Sequence, residues 1–164
     1  MAFAIFFSLT VIVAVSFAVT KKNLHPFEIL FMWMVTVIIH HTFVTITAVN
    51  LKLMDLTEHP ENYWAFVFNR VFLIPLLIIW YFDAMVARRP YQKWLWLPLG
   101  ILILSGSEYF AEWLGLYTYT RWKLWWSLIE WSVILLLIHF AWMWYRSLLN
   151  KEEVGNAALS AKTV

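Results

Sequence analysis

Residues 124–145 read LWWSLIEWSVILLLIHFAWMWY. Within them Glu130 alone carries a formal charge at neutral pH, and Lys123 and Arg146 stand just outside. A helix needs about 20 mostly apolar residues to cross the hydrocarbon of a bilayer. This stretch has that length, so it reads as a membrane span that holds a carboxylate where lipid should be.

Four more stretches of the same kind precede it, at about 2–20, 29–50, 64–87 and 94–116. The predicted fold class is therefore all-α: a polytopic membrane protein, a bundle of five transmembrane helices in one domain, 1–150. The first stretch ends at Lys21 and Lys22 and has no charged side chain before it. A secretory signal carries its positive charge ahead of the apolar run, so this stretch reads as a retained span. Residues 151–164 are polar and small, and read as a flexible tail. The connections 21–28, 88–93 and 117–123 are short, which makes sequential spans antiparallel and neighbouring.

Composition agrees. Of the 164 residues, 63% are hydrophobic and 13% charged, against about 25% charged in an ordinary soluble domain. The net charge of +2 gives no basic patch for nucleic acid. Cysteine is absent, which removes disulfides, thiolate metal sites and cysteine nucleophiles. Tryptophan numbers 12. Tryptophan and tyrosine gather where a bilayer meets water, and Tyr63–Trp64, Tyr91–Trp94–Trp96, Tyr117–Tyr119–Trp122–Trp125–Trp126 and Trp142–Trp144–Tyr145 fall at span ends, as anchors would.

With the N-terminus outside, Lys21, Lys22, Arg88, Arg89, Lys93, Arg146, Lys151 and Lys162 lie inside, and Lys52, Arg121 and Lys123 outside. Eight against three favours N-out, C-in by the positive-inside rule. The longest connection, 51–63, is then external and acidic, with Asp55, Glu58 and Glu61. His59-Pro60-Glu61 reads as a helix start.

Charged side chains within a span cost roughly 2.5–3.5 kcal/mol each at its centre. This chain has several. At about 1.5 Å of rise per residue, Glu112 lies about 6 Å below the outer end of its span, Arg70 and Glu130 about 9 Å, Glu108 about 12 Å, and His40 and His41 about 14 Å. Four spans thus place an ionisable group in the outer half. Asn69 joins them. Asp83 and His139 lie nearer the inner side. Glu108 and Glu112 share a helix face. Beside them Ser107, Ala111 and Gly115 form a small-residue stripe that would let another helix, from a second copy or a partner, approach closely.

These residues make Glu108, Glu112, Glu130, Arg70, His40, His41 and Asn69 the candidates for a site that takes a proton, a cation or a small polar ligand. Three carboxylates face one arginine, so two negative charges need a proton, a cation or a charged histidine. In the metal version, Glu108, Glu112 and His40 are the ligands, although no Glu-x-x-His pair accompanies them. Under the bland alternative the same groups are packing glue in a non-catalytic structural or partner subunit, with Arg70 bridging two glutamates. An intramembrane enzyme acting on lipid is less favoured, because no nucleophile elbow accompanies the serines. No cofactor is assigned: no phosphate loop or dinucleotide fingerprint is present, and His40 and His139 differ in depth, which disfavours haem.

Phe68-Asn69-Arg70 leading to Ile74-Pro75, then Glu108-x-x-x-Glu112, then Tyr117, Trp122 and Trp125-Trp126, resembles a family of small multi-pass membrane proteins of spore-forming Firmicutes related to Bacillus and Clostridium. The resemblance covers about the last two-thirds of the chain. It implies a bacterial cytoplasmic-membrane protein and transfers no catalytic residue, since that family has no assigned activity.

Overall fold

A computed structural model describes residues 1–57 and 59–160. Five helices make up nearly all of it: α1 (Ala2–Val19), α2 (Pro26–Asn50), α3 (Pro60–Val86), α4 (Pro90–Trp113) and α5 (Leu124–Ser160). Among the described residues, four are long and apolar enough to cross a membrane: α1, α2, α3, and α5 over Trp125–Lys151. α4 has the length, but Pro98, Gly100, Gly106, Glu108 and Glu112 dilute its apolar run.

Local chemistry explains the helix starts. Pro26 and Pro60 stand in the first turns of α2 and α3, where a missing N–H costs nothing. His25 Nδ1 accepts from the Phe27 N–H at 3.4 Å, and the Glu28 carboxylate accepts from the His25 N–H at 2.8 Å. Two free amides of the first turn are satisfied in this way. α4 ends at Gly115, whose φ of +74° suits glycine. Gly115 N–H donates to Glu112 O at 2.8 Å and Leu116 N–H to Ala111 O at 3.1 Å.

α3 packs on α1, α2 and α4, and α5 packs on α2 and α4. α2, α3, α4 and α5 therefore close a ring, and α1 lies against α3. The expectation that all sequential spans are neighbours fails at the first pair, because α1 seats on α3. Phe3 and Phe7 of α1 pack on Phe68 at 5.8 and 5.6 Å between ring centroids. The fully buried Leu73, Ile78, Ile79, Ile134, Leu135 and Ile138 fill the ring's centre.

The all-α expectation also missed a two-stranded antiparallel sheet, β1 (Met54–Leu56) with β2 (Tyr117–Tyr119), paired Met54 to Tyr119 and Leu56 to Tyr117. It closes one end of the ring, called here the hairpin end. Strand alternation buries Met54 and Tyr117 and exposes Asp55 and Thr118. The tail expected from 151 starts as a continuation of α5 to Ser160, and residues 161–164 lie outside the described residues, as does Glu58.

Candidate functional site

Asn69 and Arg70 sit in a π-turn, Asn69–Leu73, within α3. Its cause is local: Pro75 supplies no N–H to the carbonyl of Val71 four residues earlier, and the Ile74 N–H bonds Asn69 O instead. Such wider turns re-aim side chains and are frequent at functional sites. Here the turn directs Asn69 and Arg70 toward the ring's interior near the hairpin end.

There the four ring helices and both strands meet around one small cavity. His40 and Val44 of α2, Asn69 and Arg70 of α3, Glu108 of α4, Glu130 and Trp131 of α5, Met54 and Tyr117 line it. Its volume is about 20 Å³, room for about one water. Five of the seven sequence candidates therefore converge: His40, Asn69, Arg70, Glu108 and Glu130. His41 and Glu112 stand at the margin.

Glu108 is the anchored carboxylate. It accepts from the Tyr119 hydroxyl in a short contact and from Trp131 Nε1 at 2.8 Å, while the Tyr117 hydroxyl donates to the Glu108 backbone carbonyl at 2.7 Å. Trp122 Nε1 donates to the neighbouring Ser127 hydroxyl at 2.8 Å. His40 stacks on Trp131, with centroids 5.2 Å apart. Among the described residues the Glu112 carboxylate accepts only from the Tyr119 N–H, at 3.4 Å.

Glu130 is the opposite case. It is 5% exposed, and its carboxylate makes no hydrogen bond or ion pair among the described residues. Among the described residues Arg70 makes no bridge between glutamates, the arrangement of the packing alternative. Its guanidinium donates to the carbonyls of His40 at 3.4 Å and His41 at 3.2 Å, lies 3.4 Å from the His41 ring nitrogen, and rests over the Phe66 ring. His40 Nδ1, Asn69 Oδ1 and Arg70 Nε are buried without hydrogen-bond partners among the described residues.

Two expectations change. Among the described residues no three His, Cys, Asp or Glu side chains gather as metal ligands, so the structure does not bring Glu108, Glu112 and His40 together as one set. The donors on Glu108 are a phenol and an indole instead. The small-residue stripe is not one open face: Ala111 is fully buried and Gly115 belongs to the helix-ending turn. Asp83 accepts from the backbone N–H groups of Asn23 at 2.7 Å and Leu24 at 3.0 Å, holding the 20–25 connection against α3, and His139 stacks on Phe82 at 6.0 Å.

Tyr117, Tyr119 and Trp131 were not among the sequence candidates. The tyrosines read as interface anchors because they sit in an aromatic cluster. Their spacing of two, Tyr117-Thr118-Tyr119, was the available signal, since a strand sends alternate side chains to one face. Trp125 and Trp126 are exposed, as anchors are. Burial raises both phenols above the ordinary tyrosine range, and the Glu108 carboxylate adds to it. Both therefore stay protonated as hydrogen-bond donors.

No family model, curated protein or solved structure matches this chain.

Proposed function

We propose that the chain is a five-span protein of the bacterial cytoplasmic membrane, N-out and C-in, whose outer-half site binds and releases a proton. Four helices long and apolar enough to cross a membrane support the membrane setting. The observation that carries the site reading is Glu130: a residue 5% exposed whose carboxylate makes no hydrogen bond among the described residues, in the cavity that Glu108 and Arg70 also line. An ion in a low-dielectric interior is costly unless compensated. Two carboxylates and one arginine leave one negative charge, and one proton cancels it. The cavity's volume suits a proton or a water better than an organic ligand.

Every ring helix contributes to the charge balance. α2 supplies His40 and His41, α3 supplies Arg70, α4 supplies Glu108, and the hairpin supplies the neutral phenols of Tyr117 and Tyr119. Glu108 holds α4, α5 and the hairpin together, and Glu130 exchanges the proton. The structural-subunit reading draws support from Glu108, whose bonds are those of a packing anchor, but it leaves Glu130 without a role.

The test is proton stoichiometry. The purified protein in detergent is carried through a pH jump with a pH-sensitive dye. The parent should take up one proton more than Glu130→Gln. Equal uptake would remove the proton reading and leave the structural one.

A further inference from the structure

A cleft of about 340 Å³ lies between α3 and α4, toward the end of the ring away from the hairpin. Leu77, Tyr81 and Ala84 line it from α3, and Trp96, Gly100 and Ile103 from α4. On each helix these residues recur three or four apart, so each wall is one helix face. The Tyr81 hydroxyl is buried in this apolar setting and has no hydrogen-bond partner among the described residues. A buried hydroxyl without a partner is costly, and a ligand that carries an acceptor removes the cost. Gly100 seats the phenol: a Cβ there would fall 2.7 Å from Tyr81 Cε2, so the ring lies against the α4 backbone.

The mouth of the cleft is cationic. Arg88 follows Ala84 by four residues, just past the end of α3, and its guanidinium carbon lies 4.8 Å from the centre of the Trp96 ring. The indole holds the planar cation by its face. Among the described residues the guanidinium has no ion pair or hydrogen bond. Between Asp83 and Glu108 the charged residues are Arg88, Arg89 and Lys93, all positive. A basic mouth on an apolar cleft between membrane helices complements an anionic lipid. A helix is too thick for it: one turn, about 10 Å across and 5.4 Å long, fills about 420 Å³.

We propose that this cleft binds an anionic diacyl phospholipid from the leaflet at that end, the cytoplasmic one in the orientation given above. The lipid phosphate accepts from the Arg88 guanidinium, an ester carbonyl accepts from the Tyr81 hydroxyl, and one acyl chain lies between the walls. The depths follow the same order. Gly100, against which Tyr81 sits, is four residues and about 6 Å farther from the mouth than Trp96, as an ester carbonyl lies deeper in a bilayer than its phosphate. The cleft shares no lining residue with the cavity of Glu130, and the proposal does not rest on the proton reading.

The full chain in detergent, titrated with phosphatidylglycerol or phosphatidylcholine of identical chains and read by native mass spectrometry, tests this. The parent should hold one phosphatidylglycerol per chain and prefer it to phosphatidylcholine. Arg88→Gln should weaken phosphatidylglycerol binding about fivefold, the worth of one basic side chain at an anionic surface, and phosphatidylcholine binding by less. Arg121→Gln, the same charge change at the hairpin end, should bind as the parent does. Tyr81→Phe should weaken both lipids alike, by about twofold to tenfold, because both carry the ester. Equal affinity of the parent for the two lipids, an Arg88→Gln loss that Arg121→Gln reproduces, or a Tyr81→Phe chain that binds as the parent does would overturn the proposal. So would a spectrum of lipid-free dimers, in which a second copy covers the cleft.

Discussion

Trp131 Nε1 donates to the Glu108 carboxylate at 2.8 Å, from α5 to α4. The same indole is 1% exposed and stacks on His40, so one side chain joins three helices of the ring. Trp131→Phe keeps most of the packing and removes the donor. A hydrogen bond to a charged or buried acceptor is worth about 1.5–3 kcal/mol. Thermal unfolding in detergent should show a loss of that size. Trp126→Phe, at an exposed position, should change stability by less than about 0.5 kcal/mol.

Alkaline pH should loosen the hairpin end. The folded state holds the Tyr117 and Tyr119 phenols above their ordinary value of 10.0. As pH rises past that value, the unfolded chain loses phenol protons that the folded chain keeps. The folded state then binds more protons, so stability falls with pH. The contribution is complete below about pH 10 and is lost progressively above it. Tyr119→Phe should flatten this decline in melts taken between neutral and strongly alkaline pH. An unchanged slope would mean that the phenols ionise as freely in the folded state as in the unfolded one.

Gly100 marks the seam between α3 and α4. A Cβ at this position would fall 2.7 Å from the Tyr81 ring, closer than carbon atoms pack. Gly100→Ala should therefore force the ring aside and cost about 1–3 kcal/mol. Gly106, where a Cβ meets nothing within 4 Å, is the control: Gly106→Ala should be neutral or stabilising by up to about 1 kcal/mol, through helix propensity.

Much of the fold was legible because spans are set by length and apolarity, which a sequence displays directly. The starts of α2 and α3 lie at Pro26 and Pro60, three or four residues before the apolar runs begin, because polar first turns belong to a helix without belonging to a span. The meeting of His40, Arg70, Glu108 and Glu130 was legible from their common depth. Their pairing was not. The packing alternative placed Arg70 between carboxylates, whereas the π-turn before Pro75 gives it to the carbonyls of His40 and His41. The β1–β2 pairing joins segments more than 60 residues apart in three-residue strands, too short for a periodic pattern to stand out.

Whether α4 crosses the membrane decides between five spans and four. The chain has no native cysteine, so single cysteines report cleanly. In right-side-out vesicles, Arg121→Cys should react with a membrane-impermeant maleimide, and Arg88→Cys only after permeabilisation. Equal labelling of both from outside would place the two ends of α4 on one side and reject the five-span topology.

The most direct measurement of the central claim is the carboxylic acid C=O stretch of the reconstituted protein, followed by infrared spectroscopy through a pH titration. If Glu130 exchanges the site's proton, the parent shows a protonated carboxyl band that disappears as pH rises, and Glu130→Gln lacks it. Glu112→Gln, at the margin of the site, retains it. A parent spectrum without that band, or a band that Glu130→Gln leaves intact, would contradict the assignment.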